Sequence, residues 1–116
     1  MNDLGLSEKS MKAITDLLGT FGFVSKALVF GSRAKGNHRK YSDVDICLFG
    51  EMGDLDAEKV RSGLNELNLI YDFDAVDYGR IKTPALREHI DRVGIVVYER
   101  EALDSATNPA SPPLSP

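Results

Sequence analysis

The stretch LVFGSRAKGNHRKYSDVDICLF, residues 28–49, decides the fold. It begins as an apolar run, breaks at Gly31-Ser32, passes through a basic loop and ends in Asp43-Val44-Asp45 before a second apolar run. Continuous apolar runs are typical of strands that are covered on both faces, and a short helical turn is expected from Ser32. Two acids one residue apart at the edge of a buried strand are costly unless a positive group binds them. The stretch therefore predicts a site for a nucleotide and a metal ion.

The composition limits the classes of protein that the chain can belong to. Its 116 residues give room for one small domain with one core. A net charge of −4 disfavours a general nucleic-acid-binding protein, which usually carries a basic field. No apolar run approaches the ~20 residues of a membrane span, and the first residues lack the basic start of a signal peptide. A cytoplasmic protein that does not enter the membrane is expected.

Hydrophobic patterning outside the opening stretch predicts helices that alternate with strands. Helices are expected to begin at a capping Ser7, at Asp54 or Asp56, and at Thr83-Pro84. The strands are expected at Ala27–Phe30, Val44–Phe49, Ile70–Tyr78 and Ile95–Tyr98. This order predicts an α/β (α+β) fold, a small mixed β-sheet with helices packed on it. Residues 1–100 would form the domain, and residues 101–116, rich in Pro and Ser, a disordered tail.

The carboxylates suggest metal chemistry. On an extended chain Asp43 and Asp45 lie on the same face, within reach of one divalent ion or of two adjacent ions. Magnesium is the ion that usually bridges carboxylates and substrate phosphates, and a third acid would complete a two-metal site. The third predicted strand offers Asp74 as the first choice, because it is central in that strand. Asp72 lies on the same face and is the alternative, whereas Asp77 points the other way.

The turn before the acids suggests phosphate binding. Gly31 and Ser32 would supply backbone N–H groups and a hydroxyl at a helix N-terminus, and Arg33 and Lys35 would add positive charge. This assembly suits the transfer of a nucleotidyl group from a nucleoside triphosphate. Taken singly, an Asp-x-Asp pair, a Gly-Ser turn or a basic loop is a common surface feature. His89, without ligand spacing, is interpreted as a surface residue, and the combination of the other features supports the prediction.

This combination resembles the nucleotidyltransferase superfamily of the DNA polymerase β type. The hallmark of that superfamily is Gly-Ser, a short variable stretch, Asp-x-Asp and a third Asp on a later strand. The matching segments are Gly31–Gly36, Asp43–Ile46 and Phe73–Tyr78, and the resemblance covers residues 7–100. It implies that the catalytic carboxylates hold two Mg²⁺ ions, and that residues around the turn contact ATP. The implied metal ligands are Asp43, Asp45 and Asp74, and the implied nucleotide contacts are Gly31, Ser32, Arg33, Lys35 and Ser42.

In length the chain is similar to the minimal nucleotidyltransferases, which lack the extra domain that holds an acceptor in larger members. These are typically encoded beside a small helical HEPN-type protein, and several such pairs are toxin–antitoxin systems. The resemblance implies transfer of AMP from ATP to a hydroxyl, a tyrosine, of a HEPN-type toxin, in a type VII-like system. The alternative is a non-catalytic partner that senses nucleotide and neutralises or scaffolds a helical toxin by contact. The sequence does not decide between a homo-oligomer and a hetero-oligomer.

Overall fold

The computed structural model describes residues 4–35 and 43–100, which form four helices, four strands and one 3₁₀ turn. The helices are α1 Glu8–Thr20, α2 Ser32–Lys35, α3 Asp56–Asn65 and α4 Pro84–Val93. The strands are β1 Val24–Phe30, β2 Val44–Gly50, β3 Phe73–Asp77 and β4 Ile95–Glu99, and the 3₁₀ turn is Tyr78–Arg80. Their order along the chain is the predicted one. The predicted tail at residues 101–116 and the loop with Ser42 lie outside the described residues.

The strands form one mixed sheet in the order β3-β2-β1-β4. β1 is antiparallel to both of its neighbours, whereas β2 and β3 are parallel. Parallel strands need a crossover connection, and α3 makes that crossover here. The predicted fold class, a small mixed sheet with packed helices, is therefore confirmed.

Helices cover the sheet on both faces. α1 and α3 pack on one face and bury a large cluster with residues of all four strands, in which Ile14, Leu18, Val60 and Leu64 are helical members. α4 packs on the other face, where Ile90 contacts Leu28 and Cys47 in a smaller cluster. Burial on both faces explains why residues 27–30 of β1 and 46–49 of β2 are apolar without alternation. In the described part of the chain, no helix has the length and apolar character needed to cross a membrane.

Of the three predicted helix caps, only the one at α1 makes its side-chain hydrogen bond. Ser7 caps α1 as predicted, since its hydroxyl accepts from the amide of Ser10 at 3.0 Å. Neither predicted acid caps α3: Leu55 occupies the N-cap, and Asp56 accepts instead from the amide of Gly53 at 2.7 Å. Thr83 is at the N-cap of α4 but makes no side-chain capping bond. Capping by a particular side chain depends on the path of the preceding loop, which residue type alone does not specify.

Candidate functional site

The structure brings three carboxylates to one end of the sheet. Asp45 in β2 and Asp74 in β3 are register partners in the parallel pair. Directly opposed residues on neighbouring strands project from the same face, so both side chains lie on the face that α4 covers. Asp43 immediately precedes β2, two residues from Asp45 and on the same side by strand alternation. Positions far apart in the sequence thus meet because β2 and β3 run in the same direction.

The pKa of Asp45 reflects this proximity. Partial burial raises the pKa of Asp45 above its ordinary value, and the negative charges of Asp74 and Asp43 raise it further. His89 acts in the opposite direction and lowers the pKa of the same carboxyl. Both effects that raise the pKa disfavour the ionised form. A cation beside Asp45 would offset this cost, which is the electrostatic condition for a metal site.

The donor set fits a hard divalent cation. Carboxylate oxygens are the ligands that magnesium prefers. Within residues 4–35 and 43–100, no three acids, histidines or cysteines already stand close enough together to hold one ion. Asp43 and Asp74 are exposed, and Oδ1 of Asp74 accepts from the amide of Ala75 at 2.9 Å. The three carboxylates therefore suit magnesium chemically.

The turn between β1 and α2 lies directly against this cluster. Gly31 has a φ of +76°, and a Cβ at this position would lie 2.5 Å from Oδ2 of Asp45. Glycine is thus required both for the backbone conformation and for the close approach of the turn to the carboxylate. The carbonyl of Gly31 accepts from the amide of Lys35 at 3.1 Å, which closes the turn of α2. Of the other predicted nucleotide contacts, Lys35 is exposed on α2, whereas the Ser32 side chain and Ser42 are outside the description.

Arg33 is not where the sequence prediction placed it. Its side chain is 1% exposed and lies inside the fold. Nη1 donates to the carbonyl of Leu4 at 2.8 Å, and the guanidinium lies 4.7 Å from the centroid of the Tyr71 ring. Burial lowers the pKa of Arg33, partly offset by Tyr71. The predicted phosphate contact is therefore wrong for Arg33, because its position on α2 directs the side chain into the core.

The alternative acids are less well placed than Asp74. The carbonyl of Asp72 accepts from the amide of Val44 at 2.9 Å, and Asp72 itself precedes β3. Asp77 pairs with Leu48 at the far end of the strand and caps the 3₁₀ turn, where it forms an ion pair with Arg80 at 3.3 Å. The geometry thus favours Asp74 among the three candidates.

His89 is a neighbour of the site that the sequence prediction treated as a surface residue. It lies on α4, with its ring edge-on to Phe30 at a centroid separation of 6.2 Å. Phe30 is the β1 partner of Asp45, so the imidazole stands beside the carboxylate cluster. One signal was available in the sequence, because His89 follows Leu86 by three positions and shares the apolar side of α4.

Comparison with known proteins agrees with this fold. Residues 12–103 match the family described as "Polymerase beta, Nucleotidyltransferase", and the chain belongs to that family. Among characterised proteins, it is 32% identical over 74 residues to the probable protein adenylyltransferase MntA of Haemophilus influenzae. That alignment covers 62% of this chain and 64% of the relative, which is less than two thirds of the relative's length.

Solved structures show the same fold. A toxin–antitoxin crystal structure with AMP-PNP superimposes with a TM-score of 0.66 at 20% identity, covering 78% of this chain and 73% of that one. A structure of the tri-AMPylated Shewanella oneidensis HEPN toxin in complex with MNT antitoxin gives a TM-score of 0.63 at 17% identity, covering 82% and 74%. At these identities the likeness supports the polymerase β-like fold.

Proposed function

We propose that the chain is a magnesium-dependent nucleotidyltransferase that transfers AMP from ATP to a hydroxyl, a tyrosine, of a HEPN-type toxin. In this role it is the antitoxin of a type VII-like pair. The observation that carries the proposal is the pairing of Asp45 with Asp74 across β2 and β3, with Asp43 beside them. In a purely structural sheet the repulsion between these carboxylates has no use. In an enzyme the same carboxylates can bind cations.

The three carboxylates are the proposed ligands of two magnesium ions. When bound, the ions would neutralise charge on the triphosphate and lower the pKa of the acceptor hydroxyl. The backbone of Gly31 lies against Asp45, so phosphates held at this turn would be next to the carboxylates. Lys35 is exposed on the following helix and is the proposed cationic contact, together with Ser32 and Ser42. Arg33 is left out, because its side chain is inside the fold.

The proposed reaction is an in-line displacement at the α-phosphorus. The acceptor hydroxyl oxygen forms a bond to that phosphorus, while the bond to the oxygen bridging the α- and β-phosphates breaks. Pyrophosphate leaves with the electron pair of the broken bond. Asp74 accepts the hydroxyl proton, directly or through water, so that AMP ends as a phosphodiester on the acceptor. No histidine or cysteine nucleophile takes part.

Two comparisons support the proposed acceptor. The relative from H. influenzae carries the name of a protein adenylyltransferase. One structural neighbour is an MNT antitoxin in complex with an AMPylated HEPN toxin. The chain shares the fold of that antitoxin, and in its own sheet Asp45 and Asp74 are in register.

The proposal is tested by label transfer from α-³²P-ATP with magnesium to a purified HEPN-type partner. We compare the wild type, Asp45→Asn, the double variant Asp43→Ala/Asp45→Ala and a control, Asp16→Asn, an exposed acid of α1. The wild type and the control should label the partner and release pyrophosphate. Loss of a metal ligand should lower the rate by at least about 100-fold, the upper range for outer-shell changes.

Two results would contradict the enzymatic function. Full transfer by Asp45→Asn would exclude the carboxylates as metal ligands. Full neutralisation of the toxin by Asp43→Ala/Asp45→Ala would instead favour the non-catalytic alternative, in which the chain inhibits its partner by contact.

A further inference from the structure

We propose that Asn65 is a positioning residue, which holds the first residue of β3 and thereby keeps Asp74 opposite Asp45. Asn65 is the last residue of α3, and its side chain bonds to the backbone of Arg61 and Phe73. The consequence for metal binding rests on the proposed function, whereas the consequence for the backbone of β3 does not.

The side chain of Asn65 joins the end of α3 to the start of β3 through three hydrogen bonds. Its Oδ1 accepts from the amide of Phe73 at 2.9 Å, and its Nδ2 donates to the carbonyl of the same residue at 3.1 Å. The second N–H of Nδ2 donates to the carbonyl of Arg61 at 3.1 Å, within the last turn of α3. Both donors and the acceptor of the amide are therefore used, which fixes its orientation.

These bonds occupy the free edge of the sheet. β3 is an edge strand, because β2 pairs with it on one side only in the described part of the chain. The amide and carbonyl of Phe73 point away from β2 and would otherwise be left to water. The Asn65 side chain takes the place of a neighbouring strand for this one residue. It also anchors the strand to a helix that packs on the core.

The anchored residue directly precedes Asp74. Phe73 pairs with Val44, and Asp74 pairs with Asp45, so these are the first two register pairs between β2 and β3. Strand ends fray, and an edge strand has a neighbouring strand on one side only to hold it. Fraying by two residues would release Asp74 from the position opposite Asp45. Asn65 acts at the residue where this fraying would begin.

Only asparagine can make all three bonds from this position. Aspartate has no donor, so its carboxylate would face the carbonyls of Arg61 and Phe73. Glutamine is one methylene longer, and alanine makes no bond. The exposed neighbour Glu66 provides a matched control, because it lies at the same helix end. Asn65 is itself exposed, so its replacement removes little buried surface and the variants should fold.

The test combines amide hydrogen exchange by NMR with isothermal titration of Mn²⁺ alone. It compares the wild type, Asn65→Ala, Asn65→Asp and Glu66→Ala. Exchange at Phe73, Asp74 and Ala75 should be at least tenfold faster in both Asn65 variants, whereas amides of α1 and β1 should change less than twofold. Mn²⁺ affinity should fall by about 10- to 100-fold, as for other residues that orient metal ligands. Glu66→Ala should match the wild type in both measurements.

The possible failures are distinguishable. Unchanged exchange at Asp74 in Asn65→Ala would overturn the positioning role, even if activity fell. A uniform increase across α1, β1 and β3 would also overturn it, because that pattern reports global destabilisation. If wild-type protein did not bind Mn²⁺ while exchange in β3 still responded, the metal site of the proposed function would fail. The positioning of β3 by Asn65 would then stand.

Discussion

Gly31 and Asp45 approach so closely that a Cβ on the glycine would lie 2.5 Å from Oδ2 of the aspartate. The turn after β1 and the carboxylate on β2 are therefore one unit. Any side chain at position 31 acts on Asp45 directly, and it also strains a backbone with a φ of +76°. This relationship makes the glycine part of the site, although it carries no functional group.

Replacement of Gly31 by alanine should lower both the stability of the fold and the rate of nucleotidyl transfer. The positive φ should cost about 1–2 kcal/mol in the free energy of unfolding, because an L-residue is disfavoured there. The new methyl group should displace the Asp45 carboxylate and lower nucleotidyl transfer by at least about tenfold, by analogy with other disturbances of metal ligands. Urea unfolding and initial rates check the two effects. Gly22→Ala is the control, because a Cβ at Gly22 meets no atom within 4 Å.

Asp45→Asn should stabilise the metal-free protein. Burial and two neighbouring acids raise the pKa of Asp45 above its ordinary value of 3.8. A carboxyl with a raised pKa in the folded state favours folding less and less as the pH rises from 3.8 through that raised pKa. Above that raised pKa the penalty is fully present, and the neutral amide removes it. The thermal midpoint should rise, by roughly 4–8 °C for each 1 kcal/mol of penalty removed.

Magnesium should reverse this order of stability. The cation should raise the thermal midpoint of the wild type and leave Asp45→Asn nearly unchanged, since binding to the folded state stabilises it. Below pH 3.8, where the wild-type carboxyl is also protonated, the two proteins should unfold at similar temperatures. An Asp45→Asn protein that is less stable than the wild type at pH 7 without metal would contradict the repulsion described at the site.

Replacement of Arg33 should mainly lower stability, whereas replacement of Lys35 should mainly lower nucleotide affinity. Arg33→Met removes a charged hydrogen bond to Leu4 and a cation–π contact to Tyr71, so it should lower the free energy of unfolding by about 2–4 kcal/mol. Lys35→Met changes an exposed side chain and should cost less than about 0.5 kcal/mol. Chemical denaturation measures both, and nucleotide affinity should fall mainly in Lys35→Met. An Arg33→Met protein of normal stability and weakened nucleotide binding would restore the phosphate role that its sequence position suggested.

Cys47 should be inert in the folded protein. It is fully buried between β-sheet and α4, and burial together with nearby acids raises the pKa of its thiol to about 12. Since only the thiolate reacts, alkylation at pH 8 should be at least about 100-fold slower than in urea. The unfolded thiol ionises near pH 9, so stability should fall as the pH rises from 9 towards 12. Rapid native alkylation would place Cys47 outside the core.

The features that could be predicted from the sequence are those that depend on neighbouring residues. Ser7 caps α1 because its hydroxyl reaches an amide three positions on, and Asp43 and Asp45 share a face because strand side chains alternate. The apolar runs of β1 and β2 indicated strands covered on both faces, as observed. Asp74 was chosen by its central position, and its pairing with Asp45 follows from the parallel direction of β3.

The features that the sequence did not reveal depend on contacts between distant segments. Arg33 is buried only because Leu4 and Tyr71 come together around it, and neither residue is near it in the chain. The third strand was predicted from Ile70, yet Ile70 is 64% exposed and pairing begins at Phe73. An alternating pattern cannot show where pairing starts, which here coincides with the bonds from Asn65.

The crossover from β2 through α3 to β3 delays the completion of the carboxylate set during synthesis. Asp43 and Asp45 are translated first, and Asp74 follows about 30 residues later, a delay of roughly 2–6 s at 5–20 residues per second. A ribosome-bound chain that ends before β3 has two of the three carboxylates and no strand to complete the set. Nascent or prematurely terminated chains of that length would therefore lack the complete set of carboxylates that are proposed to bind the metal ions.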